Sequence, residues 1–220
     1  MNLPQQWCTL VHSSLTLQHM PSDVPSPIDL RLMEDARPWA EAALAKRPVR
    51  PEIFDAFARE IGAGPRRVLE LGSGPGFLAE HLLRANAQLH YVALDFSGAM
   101  HQLAVERLGE LAARVRFVER SFREPAWDLG LGPFDIVVTN QAVHELRHKD
   151  RAAALHAQVK ALLTPGGCYL VCDHFLGEGG LSNDQLYMTV AGQREALLRG
   201  GFASVDEVMI KGGLALHRAR

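Results

Sequence analysis

The sequence predicts an α/β fold built on a doubly wound, mostly parallel sheet. Three observations carry this expectation. From Val68 onward, short apolar runs suited to buried strands alternate with longer stretches of helical periodicity. A glycine-rich turn, with Gly72, Gly74 and Gly76 on alternate positions, joins the first run to its helix. Near the C-terminus two apolar runs flank Gly212-Gly213, which reads as a hairpin. Repeated β-α units imply right-handed crossovers and helices on both faces of the sheet. Ligands of such folds sit at the carboxyl ends of the strands, where the strand order reverses.

The elements are expected as follows. Residues 1–28 hold Pro4, Pro21, Pro25 and Pro27 among serines and glutamines and read as a mobile tail, with Met20 and Met33 as alternative starts. Residues 29–62 read as a helical cap. Pro38 and Pro51 each suit a first helical turn, and Ile53, Phe54, Phe57 and Ile61 share one face. The remaining domain, 63–220, carries strands at Val68–Leu71, Leu89–Leu94, Val115–Val118, Phe134–Thr139 and Cys168–Asp173. Helices follow at Phe77–Ala85, Ser97–Leu111, Arg151–Leu163 and around Gln193–Arg199. The hairpin, Ala203–Ile210 and Leu214–Arg218, brings the strands to seven.

Composition narrows the function classes. Lys+Arg total 23 against 25 Asp+Glu, so the formal net charge is -2, unlike the basic balance of a dedicated nucleic-acid binder. No apolar run has the length of a membrane span. The N-terminal stretch has no Lys or Arg before Arg31 and does not read as a secretory or transit signal. Cys8, Cys168 and Cys172 form neither a zinc pattern nor a disulfide framework, and reduced thiols in a cytoplasmic protein are expected.

The glycine run serves two ligand classes. Dinucleotide folds carry Gly-x-Gly-x-x-Gly, with a third glycine where this chain has Phe77. Here the pattern from Glu70 is acid-x-Gly-x-Gly-x-Gly, which resembles motif I of the class I S-adenosylmethionine-dependent methyltransferases. Asp95 ends the second strand nineteen residues after Gly76, where an acid can accept both ribose hydroxyl protons or cap the next helix. The stretch Phe134–Leu146 resembles motif IV of the small-molecule methyltransferases related to ubiquinone and menaquinone biosynthesis. Leu162–Asp173 is similar to their Leu-x-Pro-Gly-Gly approach to strand five. The terminal hairpin resembles that family's antiparallel seventh strand, inserted between the fifth and sixth.

This resemblance implies S-adenosylmethionine as methyl donor and a small-molecule acceptor, with neither nucleic acid nor membrane as partner. The donor residues it implies are Glu70, Gly72, Ser73, Gly74 and Gly76 at the amino-acid end. Asp95 and Phe96 serve the ribose and adenine, with Met100 alongside. Ser121 stands where the family commonly has an acid for the adenine amino group, followed by Phe122; Glu119 or Glu124 are substitutes for that contact. Asn140 and Gln141 lie near the methionine moiety. The chain lacks the Asn-Pro-Pro-aromatic signature of enzymes that methylate nucleobase or glutamine amino groups, having Thr139-Asn140-Gln141-Ala142 instead.

His144, at the mouth of strand four, is the candidate general base; the plainer alternative is a loop histidine without a chemical part. Asp173 and His174 with Asn140 loosely resemble the magnesium site of catechol-type methyltransferases. Two of the three ligand types are changed, so no metal is expected. Arg31, Arg37, Trp39, Arg147 and His148 are candidates to face an anionic or aromatic acceptor, or else solvated surface groups. An NAD(P)-dependent oxidoreductase and a non-catalytic S-adenosylmethionine-binding protein are the alternative functions.

Overall fold

The computed structural model describes residues 21–220, so most of the expected tail lies outside the described residues. Residues 21–28 carry neither helix nor strand. The chain then forms α1 (Met33–Ala45), α2 (Arg50–Ile61), β1 (Arg66–Leu71), α3 (Phe77–Ala85), β2 (Leu89–Asp95), α4 (Gly98–Leu108) and β3 (Val115–Glu119). The second half comprises β4 (Phe134–Asn140), α5 (Ala152–Ala161), β5 (Leu163–His174), α6 (Val190–Arg199), β6 (Val205–Lys211) and β7 (Leu214–Ala219).

The seven strands make one sheet in the order β3-β2-β1-β4-β5-β7-β6. β1 pairs in parallel with both β2 and β4, and β7 runs antiparallel to both β5 and β6. The hairpin expected at Gly212-Gly213 is present, with both residues in the left-handed region that such tight turns require. The strand order reverses between β1 and β4, and a ligand crevice is expected above their carboxyl ends.

Side-chain alternation along the strands builds a core on each face. Val68 of β1 points to one face, where Ile53, Phe57, Leu78 and Leu82 of α2 and α3 cover the sheet. Leu69 and Leu71 point to the other, against Leu155 and Val159 of α5 and Leu197 of α6. A third cluster seats Ala36 and Ala40 of α1 on Met100 and Leu103 of α4. Glu70 follows the Val68 alternation, so an acid is carried into the covered face at the end of β1.

Two local expectations need correction. Pro38 lies inside α1, which already begins at Met33, whereas Pro51 does occupy the first turn of α2. A proline in the second turn removes one backbone hydrogen bond, and α1 keeps its course through its alanine face on α4. Strand five also begins before Pro165-Gly166-Gly167 rather than after it. Its pairing passes from Leu163 to Cys168 while β4 advances only from Phe134 to Ile136, so the Pro-Gly-Gly run is a bulge within β5. A Cβ on Gly167 would stand 2.8 Å from the Asp135 carbonyl oxygen, which keeps this position small.

Candidate active site

A cavity of about 450 Å³ opens at the carboxyl ends of β1, β2, β4 and β5, with residues 24–28, α1 and the start of α2 on its outer side. Its floor is the loop from β1 to α3. The Gly72 and Ser73 N–H groups both donate to the Leu94 carbonyl, tying the loop to β2. A Cβ on Gly72 would lie 2.4 Å from the Ala142 Cβ, so the loop passes close beneath β4. Gly74, also in the left-handed region, has nothing within 4 Å of its Cβ position and faces the cavity. Gly76 does not line it. It caps α3, where a side chain would press on Ala104 at 3.1 Å; its smallness serves the α3–α4 contact.

Glu70, the penultimate residue of β1, lies in the cavity wall at 2% exposure, and the Tyr91 hydroxyl donates to its Oε2 at 2.8 Å. Burial outweighs this hydrogen bond and, with Asp95 nearby, raises the Glu70 carboxyl to about 8. Tyr91 was not among the expected site residues. Its register opposite Val68 and its place on the Glu70 face are consequences of sheet pairing.

Asp95 is buried at the end of β2. Its Oδ2 accepts from the Gly74 N–H at 2.8 Å and its Oδ1 from the Ser97 N–H at 3.0 Å. Burial raises it to about 6 despite these bonds. The cap of α4 is Ser97, whose Oγ accepts from the Met100 N–H, so the helix-cap alternative for Asp95 falls away. Both Asp95 oxygens retain a lone pair for a ligand hydroxyl. Phe96, Met100 and Phe122 also line the cavity. Ser121 does not: it opens on a neighbouring groove with Glu119 and Glu124, and its Oγ accepts from the Arg123 N–H.

Asn140, Gln141 and His144 rise from the end of β4 and the turn after it. Gln141 adopts a left-handed backbone, and its N–H donates to the Cys172 carbonyl at 2.7 Å. The His144 Nδ1 lies 2.7 Å from Asp173 Oδ1, and the His144 backbone N–H donates to Asp173 Oδ2 at 2.9 Å. His144 is thus held at its ring and at its backbone by one buried carboxylate, with Nε2 left toward Glu145 at 3.3 Å. Burial works against the His144 cation, but Asp173 and Glu145 outweigh it and lift the imidazole to about 10. His174 behaves oppositely. Its Nε2 accepts from the Gln141 amide at 3.0 Å, and burial holds its imidazole down at about 4. The rings of His144, His174 and Tyr187 meet at centroid distances of 5.6–5.8 Å.

Asp173 gives both oxygens to His144 and also accepts from the His174 N–H. Among the described residues no group of three His, Cys, Asp or Glu gathers at metal-binding range.

The expected acceptor-facing cations are placed differently. Arg37 pairs with Glu106 outside the cavity, and Arg31 pairs with Asp29 on the neighbouring groove. His148 is absent from the cavity wall, which does include Trp39. Arg147 lines the cavity, but its donors go to the Val24 and Pro25 carbonyls and to Glu145. Among the described residues the arginines and lysine of this wall without an ion pair are Lys46, Arg47, which donates to the Lys46 carbonyl, and Arg50, which donates to Gln141; none of them was singled out from sequence.

Comparison with known proteins agrees with this architecture. The sequence pattern of the methyltransferase domain family matches residues 68–167. The malonyl-[acyl-carrier protein] O-methyltransferase of Geobacter sulfurreducens is 29% identical over 181 residues, covering 76% of this chain and 66% of that protein. The release factor glutamine methyltransferase of Deinococcus radiodurans is 32% identical over 179 residues, covering 70% and 60%. The chain thus spans just under two thirds of the first relative and less of the second. Human N-acetylserotonin methyltransferase, solved in complex with S-adenosylmethionine, superposes with a TM-score of 0.67 at 17% identity over 87% of this chain and 57% of that one. The oxidoreductase alternative finds no counterpart in these likenesses, and Phe77 starts α3 with a ring flanked by Arg50 and Arg107 rather than giving way to a third glycine. Sheet order and the inserted antiparallel strand give this chain the fold of the solved methyltransferases it resembles, and residues 68–167 within that fold match the methyltransferase domain family.

Proposed function

We propose that the protein transfers a methyl group from S-adenosylmethionine to a small-molecule acceptor, with His144 as general base and Asp173 as the residue that orients it. The observation that carries this reading is the convergence of the His144–Asp173 pair and the acidic, glycine-floored donor wall on one cavity.

The residues present fit the donor. Ser73 Oγ and Asn140 Oδ1 are buried in this region without hydrogen-bond partners among the described residues, and such atoms call for a ligand. Glu70 with Tyr91 suits the amino-acid end, Asp95 the ribose, and Phe96, at 37% exposure, a flat base. Met100 and Phe122 supply apolar walls, while Gly72 and Gly74 keep the floor clear of side chains. When bound, the sulfonium supplies an activated methyl group that needs only an aligned nucleophile.

Asp173 fixes the His144 ring and stabilises its protonated form. The Nε2 side then takes the acceptor's proton as the new bond forms. Glu145, which now occupies the Nε2 contact, yields that position to the acceptor. Trp39 and Tyr187 give the cavity aromatic walls. The absence of the Asn-Pro-Pro-aromatic signature after β4 supports a small molecule over a glutamine side chain as acceptor.

Calorimetry with S-adenosylmethionine and NADH, followed by radiolabelled methyl transfer to a panel of phenols, acids, amines and thiols, tests the reading. Donor binding with turnover on at least one class is expected. Donor binding without turnover on any acceptor would instead support the non-catalytic alternative.

A further inference from the structure

His156 is a buried polar ring that the proposed chemistry leaves unused. It descends from α5, on a face that otherwise buries Ala152, Leu155 and Val159. Beneath it, Tyr169, Val171 and Asp173 alternate along β5 toward the side that α5 and α6 cover, and His217 of β7 pairs with Val171. His156 is 2% exposed, and a Cβ on Gly200 would stand 2.6 Å from its Cβ, so the end of α6 packs directly against it. Its Nδ1 is buried with no hydrogen-bond partner among the described residues. An apolar side chain would fill this place without that cost, so the ring nitrogen calls for something to bond.

His156 borders a chamber of about 20 Å³, the room of a single water, whose walls include His144, Asp173 and Gln193. Asp173 lines this chamber and not the larger cavity. Its carboxylate has one acceptor site left: Oδ1 takes the His144 ring and the His174 N–H, whereas Oδ2 takes only the His144 backbone N–H. Gln193 donates its amide nitrogen to the His174 carbonyl at 2.7 Å, which leaves its Oε1 to accept. One N–H donor and two acceptors are the complement of one water. Resting on the proposed role of His144 as base, we infer that His156 is a positioning residue for that reaction: its Nδ1–H donates to a water in the chamber, which donates in turn to Asp173 Oδ2 and Gln193 Oε1. The bridge spreads the charge of the carboxylate and so sets how tightly Asp173 holds the proton of His144. It requires a neutral ring. Burial holds His156 down at about 3 against the pull of Asp173, and His217 adds to the shift. The other titratable groups around it are Tyr169, its ring centroid 5.6 Å away, and, at the chamber, His144, Lys149, His174 and Tyr187.

Nitrogen NMR of the histidine rings, in the full chain saturated with S-adenosylhomocysteine, reads both ends of the bridge; His144→Gln assigns the His144 signals. In the wild type His156 should be a single neutral tautomer protonated at Nδ1, and His144 should titrate well above the ordinary histidine value. His156→Phe keeps the bulk of the ring and removes its nitrogens. His144 should then hold its proton about threefold to tenfold more tightly, because Asp173 has lost a donor. His156→Asn, whose amide nitrogen can stand in the place of Nδ1, should restore the wild-type titration. On any acceptor that turns over, kcat below that titration should fall in His156→Phe by the same factor, with KM unchanged. A wild-type His156 protonated at Nε2 overturns the inference, whether or not the variants fold. So does a His144 titration that His156→Phe leaves in place, or that moves equally in both variants, the mark of packing alone. A wild-type His144 that titrates at the ordinary value refutes the proposed base itself, and the inference falls with it.

Discussion

Donor binding should release a proton, and Glu70 is the reason. Its carboxyl stands at about 8 because burial, with Asp95 nearby, outweighs the Tyr91 hydrogen bond. At pH 7 such a group holds about 0.9 of a proton on average. An ammonium group arriving within a few ångströms favours the carboxylate and drives the Glu70 pKa down. If it falls well below 7, nearly the whole proton leaves. The same linkage sets the pH dependence of affinity: a pKa of 8 in the free protein makes donor binding about ninefold weaker at pH 6 than at pH 7. The assay is calorimetric titration with S-adenosylhomocysteine at pH 7 in phosphate and in Tris, whose different ionisation enthalpies report the number of protons exchanged. Glu70→Gln cannot titrate, so its binding should be weaker and largely free of buffer dependence. Asp95, at about 6, adds only about 0.1 of a proton at pH 7. Binding at full affinity without proton release in the wild type would refute the argument, because Glu70 would then be ionised in the free protein or distant from the donor's ammonium.

Further outcomes follow from the same geometry. Gly74→Val should abolish donor binding, because its side chain enters open cavity space; the left-handed backbone adds on the order of 1 kcal/mol of strain, so circular dichroism should still show a folded chain. Unchanged affinity would show the loop to be misplaced. His144→Ala and Asp173→Asn should each lower the methyl-transfer rate, by about 10²–10⁴-fold for the loss of a general base. The wild-type rate should rise with pH above neutrality, since Asp173 and Glu145 hold His144 protonated up to about 10; a rate that levels off by pH 7 refutes the role.

Acid stability provides a test independent of function. His156, His174 and His217 are held down at about 3, 4 and 4, so each favours folding above the ordinary histidine value and loses that contribution as pH falls below it. Glu70 and Asp95, both raised, oppose them. The balance near pH 5.5 is about one proton taken up on unfolding, or a loss of ~1.4 kcal/mol of stability per pH unit on acidification. Denaturant titrations at pH 6 and 5 measure it, and equal stability at the two would contradict the burial of these rings.

Most of the fold was legible because it rests on periodicity and on glycine punctuation. Val68 to Leu71 and the α3 face of Leu78 and Leu82 are apolar patterns with one reading, and Gly212-Gly213 allows little besides a tight turn. Pro165-Gly166-Gly167 was misread because a bulge inside a strand and a turn before one use the same residues. Gly76 was misassigned for a related reason. Its left-handed backbone and its smallness are visible in the sequence only as "glycine", and the neighbour it must avoid, Ala104, lies on another helix.

The cavity wall was legible where the strand ends themselves place the residues, as for Glu70, Asp95 and Asn140. The cationic wall was not, because its members come from a turn between two helices, whose seat on the sheet is set by tertiary packing. Arg31 and Arg37 looked as suitable as Arg47 and Arg50 in the sequence, since all four are arginines in one helical segment. What separates them is the available partner. Arg31 and Arg37 meet Asp29 and Glu106 at the surface, where such pairs contribute little and bind nothing further. Arg50 is carried inward by the same helix face that buries Ile53 and Phe57, and among the described residues its guanidinium meets the Gln141 amide and an aromatic ring but no carboxylate. A charge taken out of water without a counter-charge raises the free energy of the empty protein. It thereby sharpens the preference for a ligand that brings one, and this asymmetry, more than the number of cations, sets Arg50 apart from Arg31 and Arg37.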